Sequence, residues 1–298
     1  MNSVHYTSCP VCSSKEINPM LKVPDYSVSK ELFVIWQCND CTVRFTQDVP
    51  DEEAILPYYK SENYISHTNS DKGIINKLYQ RARTFTLKQK KRLIEATTGL
   101  QKGKILDMGA GTGAFLATMQ RGGWETTGIE PDKDARALAK KTFGVALEGA
   151  TFFETLSTAN FDAITLWHVL EHVHQLHEYV EGLKKALTPK GKLFIAVPNY
   201  TAGDADIYGM YWAAYDVPRH LYHFTPKSIY ILMQQHGLKV THKKPMWLDA
   251  FYISLLSSKY HKGKPNLIGA GFNGLRSNVS ALMNKERCSS LIYIIEKT

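Results

Sequence analysis

From residue 103 onward the sequence predicts an α/β fold, a parallel sheet with helices on both faces, preceded by a small cysteine-stapled segment at residues 1–50. Three observations carry that prediction. Short apolar runs alternate with helix-like stretches of about ten residues, which is the pattern of a parallel sheet built by right-handed crossovers. One such run, Lys104-Ile105-Leu106-Asp107-Met108, ends in a turn with glycine at alternate positions, Gly109, Gly111 and Gly113. Two C-x-x-C pairs, Cys9/Cys12 and Cys38/Cys41, stand near the start. At 298 residues the chain is long for one compact domain, so a main domain with a smaller appendage is the natural organisation.

In chain order, the cysteine pairs come first. Four thiolates can close a tetrahedral site, and each short spacing lets two sulfurs from one turn reach the same ion, so Cys9, Cys12, Cys38 and Cys41 are expected to hold a structural zinc. Disulfides are the alternative, disfavoured because Met1–Tyr6 lacks the apolar core of a secretory signal. A closed four-thiolate site has no open position, so this metal would staple rather than catalyse. Cys288 is left over and reads as an inert buried thiol. Glu31–Gln37 reads as a strand continued by Val43–Thr46, and residues 51–97 read as a largely helical segment interrupted by the tyrosine-rich stretch Tyr58–Thr68.

Beyond this the strands are Lys104–Asp107, Glu125–Glu130, Val145–Glu148, Asp162–Trp167 and Lys192–Val197, with helices at 113–121, 132–142 and 175–187 between them. Thr225-Pro226 starts a helix that runs to about Gln235 and is stopped by Gly237; Lys239–Lys244 is the sixth strand and Ser289–Glu296 the seventh. Residues 249–284 interrupt what would otherwise be an antiparallel hairpin. Within them Asp249–Tyr260 reads as helix and Leu267–Gly274 as a glycine-rich irregular stretch.

The glycine turn lets backbone N–H groups approach a nucleotide-like ligand closely. Gly109, Gly111 and Ala114 also satisfy the dinucleotide pattern, so glycines alone leave NAD open. Asp107 tips the balance: a carboxylate two residues before the first glycine would repel a pyrophosphate and attract the ammonium group of S-adenosylmethionine (SAM). Glu130, at the end of the next strand, is placed to accept both ribose hydroxyls, a role that NAD and SAM sites share.

Leu106-Asp107-Met108-Gly109-Ala110-Gly111-Thr112-Gly113, then Gly128-Ile129-Glu130-Pro131-Asp132, Phe161–Val173 and Leu187–Leu193, resemble the ordered motifs of class I SAM-dependent methyltransferases, in particular those similar to ubiquinone-biosynthesis O-methyltransferases, over roughly residues 100–245. The resemblance implies a Rossmann-like seven-stranded sheet over residues 98–298, a helical cap at 51–97, and insertions at 200–226 and 249–284 serving acceptor choice or a homodimer contact. It implies SAM as cofactor with S-adenosylhomocysteine as product, Gly149 and Ala150 near adenine, and Tyr64 or His67 closing one side of the pocket. His168 would then lie beside the cofactor, as a general base on an acceptor hydroxyl or as a structural hydrogen-bonding group. Glu171 and His172 are two ligands toward a divalent ion, with a third missing from the local sequence.

The segment after the fifth strand has the most unusual composition. Tyr211, Trp212 and Tyr215 can line an apolar acceptor pocket, Arg219 can grip a carboxylate or phosphate in bidentate fashion, and His172, His220 and His223 are further candidate bases. The competing reading makes the aromatics core and pairs Arg219 with Asp216.

Composition limits the function classes. The net charge of +8 resides largely in Lys77–Arg83, Lys88–Arg92 and around Lys259–Lys264, as expected of solvated helix faces, and the cysteine segment lacks a dense basic surface. Nucleic acid is therefore an unfavoured partner, although a zinc-ribbon enzyme acting on RNA or protein and a non-catalytic SAM-binding regulator are the competing classes. No apolar run is long enough to span a bilayer, so a cytoplasmic protein without a membrane partner, acting on a small-molecule acceptor, is expected.

Overall fold

The computed structural model describes residues 2–59 and 74–298. Its elements in chain order are β1 (Ser3–Val4), β2 (Ile17–Pro24), β3 (Leu32–Cys38), β4 (Arg44–Gln47), β5 (Val49–Pro50), α1 (Ile74–Thr98), β6 (Lys104–Met108), α2 (Ala114–Arg121), β7 (Glu125–Ile129), α3 (Lys133–Phe143), β8 (Phe161–Trp167), α4 (Leu176–Ala186), β9 (Leu187–Pro198), α5 (Gly203–Tyr208), β10 (Tyr222–His223), α6 (Pro226–Gln235), β11 (Leu238–Pro245), α7 (Asp249–Lys262), α8 (Leu267–Met283) and β12 (Ser290–Lys297). Two compact units emerge. A ribbon unit combines the described part of residues 1–64 with 168–179 and 196–293, and a glycine-turn unit combines the described part of 65–167 with 180–195 and 294–298.

The central sheet has the strand order β11-β12-β9-β8-β6-β7, with β6 parallel to both β7 and β8. It has six strands among the described residues rather than the seven expected. The Val145–Glu148 stretch contributes only one bridge, Ile129 to Glu148. The physical reason is length: Gly144, at φ +70°, ends α3 on one side and a 3-10 turn begins at Ala150 on the other, so only Glu148 can exchange backbone hydrogen bonds with Gly128 and Glu130.

The core of the glycine-turn unit gathers Ile94, Ile105, Phe115, Leu116, Met119, Trp124, Ala163, Phe194 and Ile294. Gly128 belongs on β7 because a Cβ there would lie 2.3 Å from Leu116 and 2.5 Å from Leu147. In the ribbon unit, β2, β3 and β4 form an antiparallel sheet in which β10 also pairs with β4, and Ile35, Tyr200, Tyr208, Trp212, Tyr215 and Val217 fill the core.

The 249–284 insertion is a helical hairpin, and Leu267–Gly274 is not irregular. The Asn266 side chain caps α8 by accepting the Gly269 N–H at 3.0 Å. Gly274 lets α7 approach, since a Cβ there would meet the Phe251 ring at 2.7 Å. Among the described residues no helix is long and apolar enough to cross a membrane.

Candidate functional site

The glycine turn follows β6 directly, and Gly109, Gly111 and Gly113 all take positive φ, from +53° to +72°, which a side chain would resist. At Gly113 a Cβ would also lie 3.0 Å from Ala139. The Gly111 N–H donates to Glu130 Oε2 at 2.7 Å and the Asp132 N–H to Glu130 Oε1 at 2.9 Å, so one carboxylate holds the turn to the end of β7. Each of its oxygens retains a lone pair for a ligand hydroxyl. Asp107 is 2% exposed and accepts the Thr165 hydroxyl at 2.6 Å. Burial pushes its carboxyl up to about 7, against the pull of the Thr165 bond and the Lys90 charge. Such a group is poised to ionise when a cation arrives beside it. Gly149 and Ala150 follow the Glu148 bridge at the start of the 3-10 turn. Tyr64 and His67 lie outside the described residues.

In the ribbon unit, residues 168–172 form a tight histidine loop. His168 takes the left-handed conformation at φ +60°. Its Nε2 lies 3.1 Å from Asp249 Oδ2, and its Nδ1 lies 3.4 Å from Glu171 Oε1. Burial alone would depress the imidazole, but the Asp249 and Glu171 carboxylates outweigh it and lift His168 to about 9. A protonated ring has no lone pair for a substrate proton, so this geometry favours the structural alternative over the general base. His172 is pushed down to about 4 by burial and by neighbouring His220. Its Nδ1–H donates to the Arg219 carbonyl at 2.9 Å, which leaves Nε2 as the basic atom. His220 donates from Nδ1 to the Ala214 carbonyl at 2.8 Å. His223 is buried on the Tyr215 ring, with its Nδ1 unpartnered, and burial holds it well below the ordinary histidine range.

The acceptor segment departs from its first reading. Arg219 is 1% exposed and gives Nε and NH2 to Asp216 at 2.9 and 2.7 Å, NH2 also to Asp25 at 2.9 Å, and NH1 to the Tyr58 carbonyl at 2.9 Å. With NH1 also giving to Asp25 at 3.5 Å, its five-donor fork is fully engaged, as the competing Asp216 reading has it, and no donor is left for a substrate anion. Trp212 is buried with its indole N–H on Asp204 at 2.8 Å, and buried Tyr215 accepts from Arg44 at 2.6 Å. Only Tyr211 of this set is half-buried, between Tyr26 and His261.

A methyltransferase-domain family model matches residues 78–243, more than half of the chain. The chain belongs to this methyltransferase family. Its class is the SAM-dependent class I. A ubiquinone biosynthesis O-methyltransferase of Glaesserella parasuis is 33% identical over 119 residues, which cover 36% of this chain and 50% of the relative. The corresponding mitochondrial protein of Rattus norvegicus is 32% identical over 108 residues, covering 33% and 31%. The methyltransferase thus spans half or less of the length of these curated relatives. A methyltransferase structure from Galdieria sulphuraria shares the fold at a TM-score of 0.52 and 13% identity, covering 73% of this chain and 88% of that one.

Two donor clusters of the methyltransferase could hold metal ions. The sulfurs of Cys9, Cys12, Cys38 and Cys41 lie within 4.8 Å of one another, with Cys9–Cys41 at 3.5 Å and Cys12–Cys38 at 3.6 Å. Tetrahedral zinc–thiolate bonds of ~2.3 Å put sulfurs about 3.8 Å apart, so the set fits zinc, and it is far too wide for disulfides. The second cluster joins Glu171, His172 and His220, again within 4.8 Å, and supplies the third ligand absent from the local sequence. Glu171 is fully buried with both oxygens lacking a hydrogen-bond donor. Burial would raise its carboxyl, yet His168 and the neighbouring imidazoles hold it below the usual range. A buried carboxylate whose one close cation among the described residues is His168 at 3.4 Å, with two imidazoles each anchored through Nδ1 on a carbonyl, is a donor set suited to a divalent first-row ion.

Sequence reasoning missed Thr165, Lys90, Asp249 and Asp25. Thr165 had a signal: it is the one hydroxyl inside the apolar run Ala163–Leu166, and it pairs in register with Asp107. Lys90 lies 4.0 Å over the Trp167 ring and bears electrostatically on Asp107, but nothing separates it by sequence from the other lysines of α1.

Proposed function

We propose that the protein transfers the methyl group of SAM to a hydroxyl of a small-molecule acceptor, with a structural zinc in the ribbon unit. The observation that carries the cofactor reading is Asp107, buried at the end of β6 beside three glycines in positive φ whose turn is tied to Glu130. The named O-methyltransferase relatives support oxygen as the methylated atom. Bound SAM supplies a sulfonium whose charge makes its methyl carbon electrophilic. Asp107 would take the cofactor's ammonium, Glu130 its ribose hydroxyls, and the turn's N–H groups its carboxylate. His172 is the proposed proton acceptor because its Nδ1–H is engaged on the Arg219 carbonyl and Nε2 keeps the lone pair, although burial makes it a weaker base than an ordinary imidazole; His168 is already cationic. If Glu171, His172 and His220 hold a divalent ion instead, they would place a Lewis acid that lowers the hydroxyl's pKa, with the proton passing to solvent.

The test is formation of S-adenosylhomocysteine, followed by mass spectrometry, with a panel of hydroxylated aromatic acceptors and any compound that co-purifies. Turnover is expected, with His172→Gln lowering kcat about a hundredfold while SAM affinity holds. Tight SAM binding without transfer to any acceptor would contradict the enzyme reading and leave a regulator. Transfer to RNA or protein alone would contradict the small-molecule reading.

A further inference from the structure

Helix α8 is inverted: its small residues face inward and its large ones outward. The buried positions are Ala270, Gly274, Ser277 and Ala281. Ile268, Phe272, Leu275, Val279 and Leu282 form the opposite stripe, each between 50% and 88% exposed. A helix that ended its burial within one copy of the chain would place these sets the other way round. The outer stripe advances in steps of four, three, four and three residues, the repeat of a helix-pairing seam. It contains no charge, and it is narrow, flanked by Gly271 and Asn278 on one side and Gly269 and Arg276 on the other.

We infer that α8 is the contact through which two copies of this chain associate, seam against seam about a two-fold axis. The occupant follows from spacing and size. A bilayer surface asks for a broad apolar face with cations along the polar one, and α8 carries only Arg276. The stripe with Leu267 and Met283 at its ends exposes on the order of 800 Å² of apolar side chain, beyond the few hundred Å² usual on a monomer and close to the ~800 Å² per partner of a standard interface. A single stripe that meets itself is self-complementary, as a two-fold contact requires.

Sedimentation equilibrium of the 298-residue chain, purified with zinc present, over the micromolar range tests this. A dimer is expected. Leu275→Glu should weaken it by more than about a hundredfold, because the seam centre would bury a charge from each copy. Position 275 is outward-facing, so zinc content and circular dichroism should not change. Leu275→Cys, at the middle of the seam, should form an intermolecular disulfide in mild oxidant. A monomer at all concentrations, a dimer untouched by Leu275→Glu, or a monomer that instead pelts down with phosphatidylglycerol vesicles through Leu275 would overturn the inference.

Discussion

Replacing Cys38 by Ser is expected to abolish stoichiometric zinc and to unfold the β2–β4 sheet. Cys38 is fully buried at the end of β3, and its sulfur lies 3.6 Å from that of Cys12. Four thiolates at these separations repel one another unless a cation neutralises them, and zinc binding to such sites carries about 10–16 kcal/mol of folding free energy in isolated fingers. Ile35 on the same strand belongs to the ribbon unit's core, so losing the staple should reach beyond the knuckles. Hydrogen exchange read by mass spectrometry should show protection lost over residues 17–47 and retained over β6 and β8, whose core residues are a separate set. Full zinc content in the variant, or unchanged protection in β3, would show that Cys38 is not a ligand on which the sheet depends.

The second large effect is expected at Arg219. Arg219→Leu removes the cation from Asp25, which is fully buried, and from Asp216, leaving two carboxylates without their counter-charge. Breaking a buried pair in this way costs about 3–5 kcal/mol, which lowers Tm by roughly 10 °C for a chain of this size. The pH dependence has a definite sign. In both aspartates burial acts to raise the carboxyl, but Arg219 outweighs it and holds each below the usual carboxylate range. Their contribution is therefore complete above the unfolded aspartate pKa of ~3.9 and lost as pH falls through the lower folded values. In Arg219→Leu the same carboxylates become costly when charged, so acidification from neutral pH toward 5 should stabilise the variant relative to wild type. A variant of unchanged Tm whose acceptor KM rises would return Arg219 to the substrate-binding role first read from the sequence.

Both effects bear on what a sequence can disclose. The path from β6 through the glycine turn into α2 was legible because its causes are local: Ile105 and Leu106 demand burial, alternate glycines permit positive φ, and Asp107 and Glu130 end neighbouring strands. The cysteine cluster was legible for the same reason, as its spacing is its geometry. Arg219 was ambiguous because Asp25, one of its two carboxylates, is 194 positions away and Tyr58 161 away. His168 changed character for a similar cause. Asp249, from the start of an insertion, reaches its Nε2 and with Glu171 makes it a cation. His220 as the third donor beside Glu171 and His172 also required the fold. The Val145–Glu148 stretch, which stays a single bridge, and the helical glycine stretch of α8 show propensity yielding to context, in one place through too few residues between two turns and in the other through an Asn266 cap and a close α7 contact.

Calorimetric titration of SAM into the wild-type protein and Asp107→Asn between pH 5.5 and 8 tests the central claim most directly. With the Asp107 carboxyl pushed up to about 7 in the free protein, wild-type affinity should rise by up to tenfold per pH unit below about 7, with proton release on binding, and then level off. Asp107→Asn should bind SAM about ten- to a hundredfold more weakly at pH 8 and lose that slope. Equal affinity and equal slope in the two proteins, or tighter binding of NAD than of SAM, would contradict a buried carboxylate receiving the cofactor's ammonium.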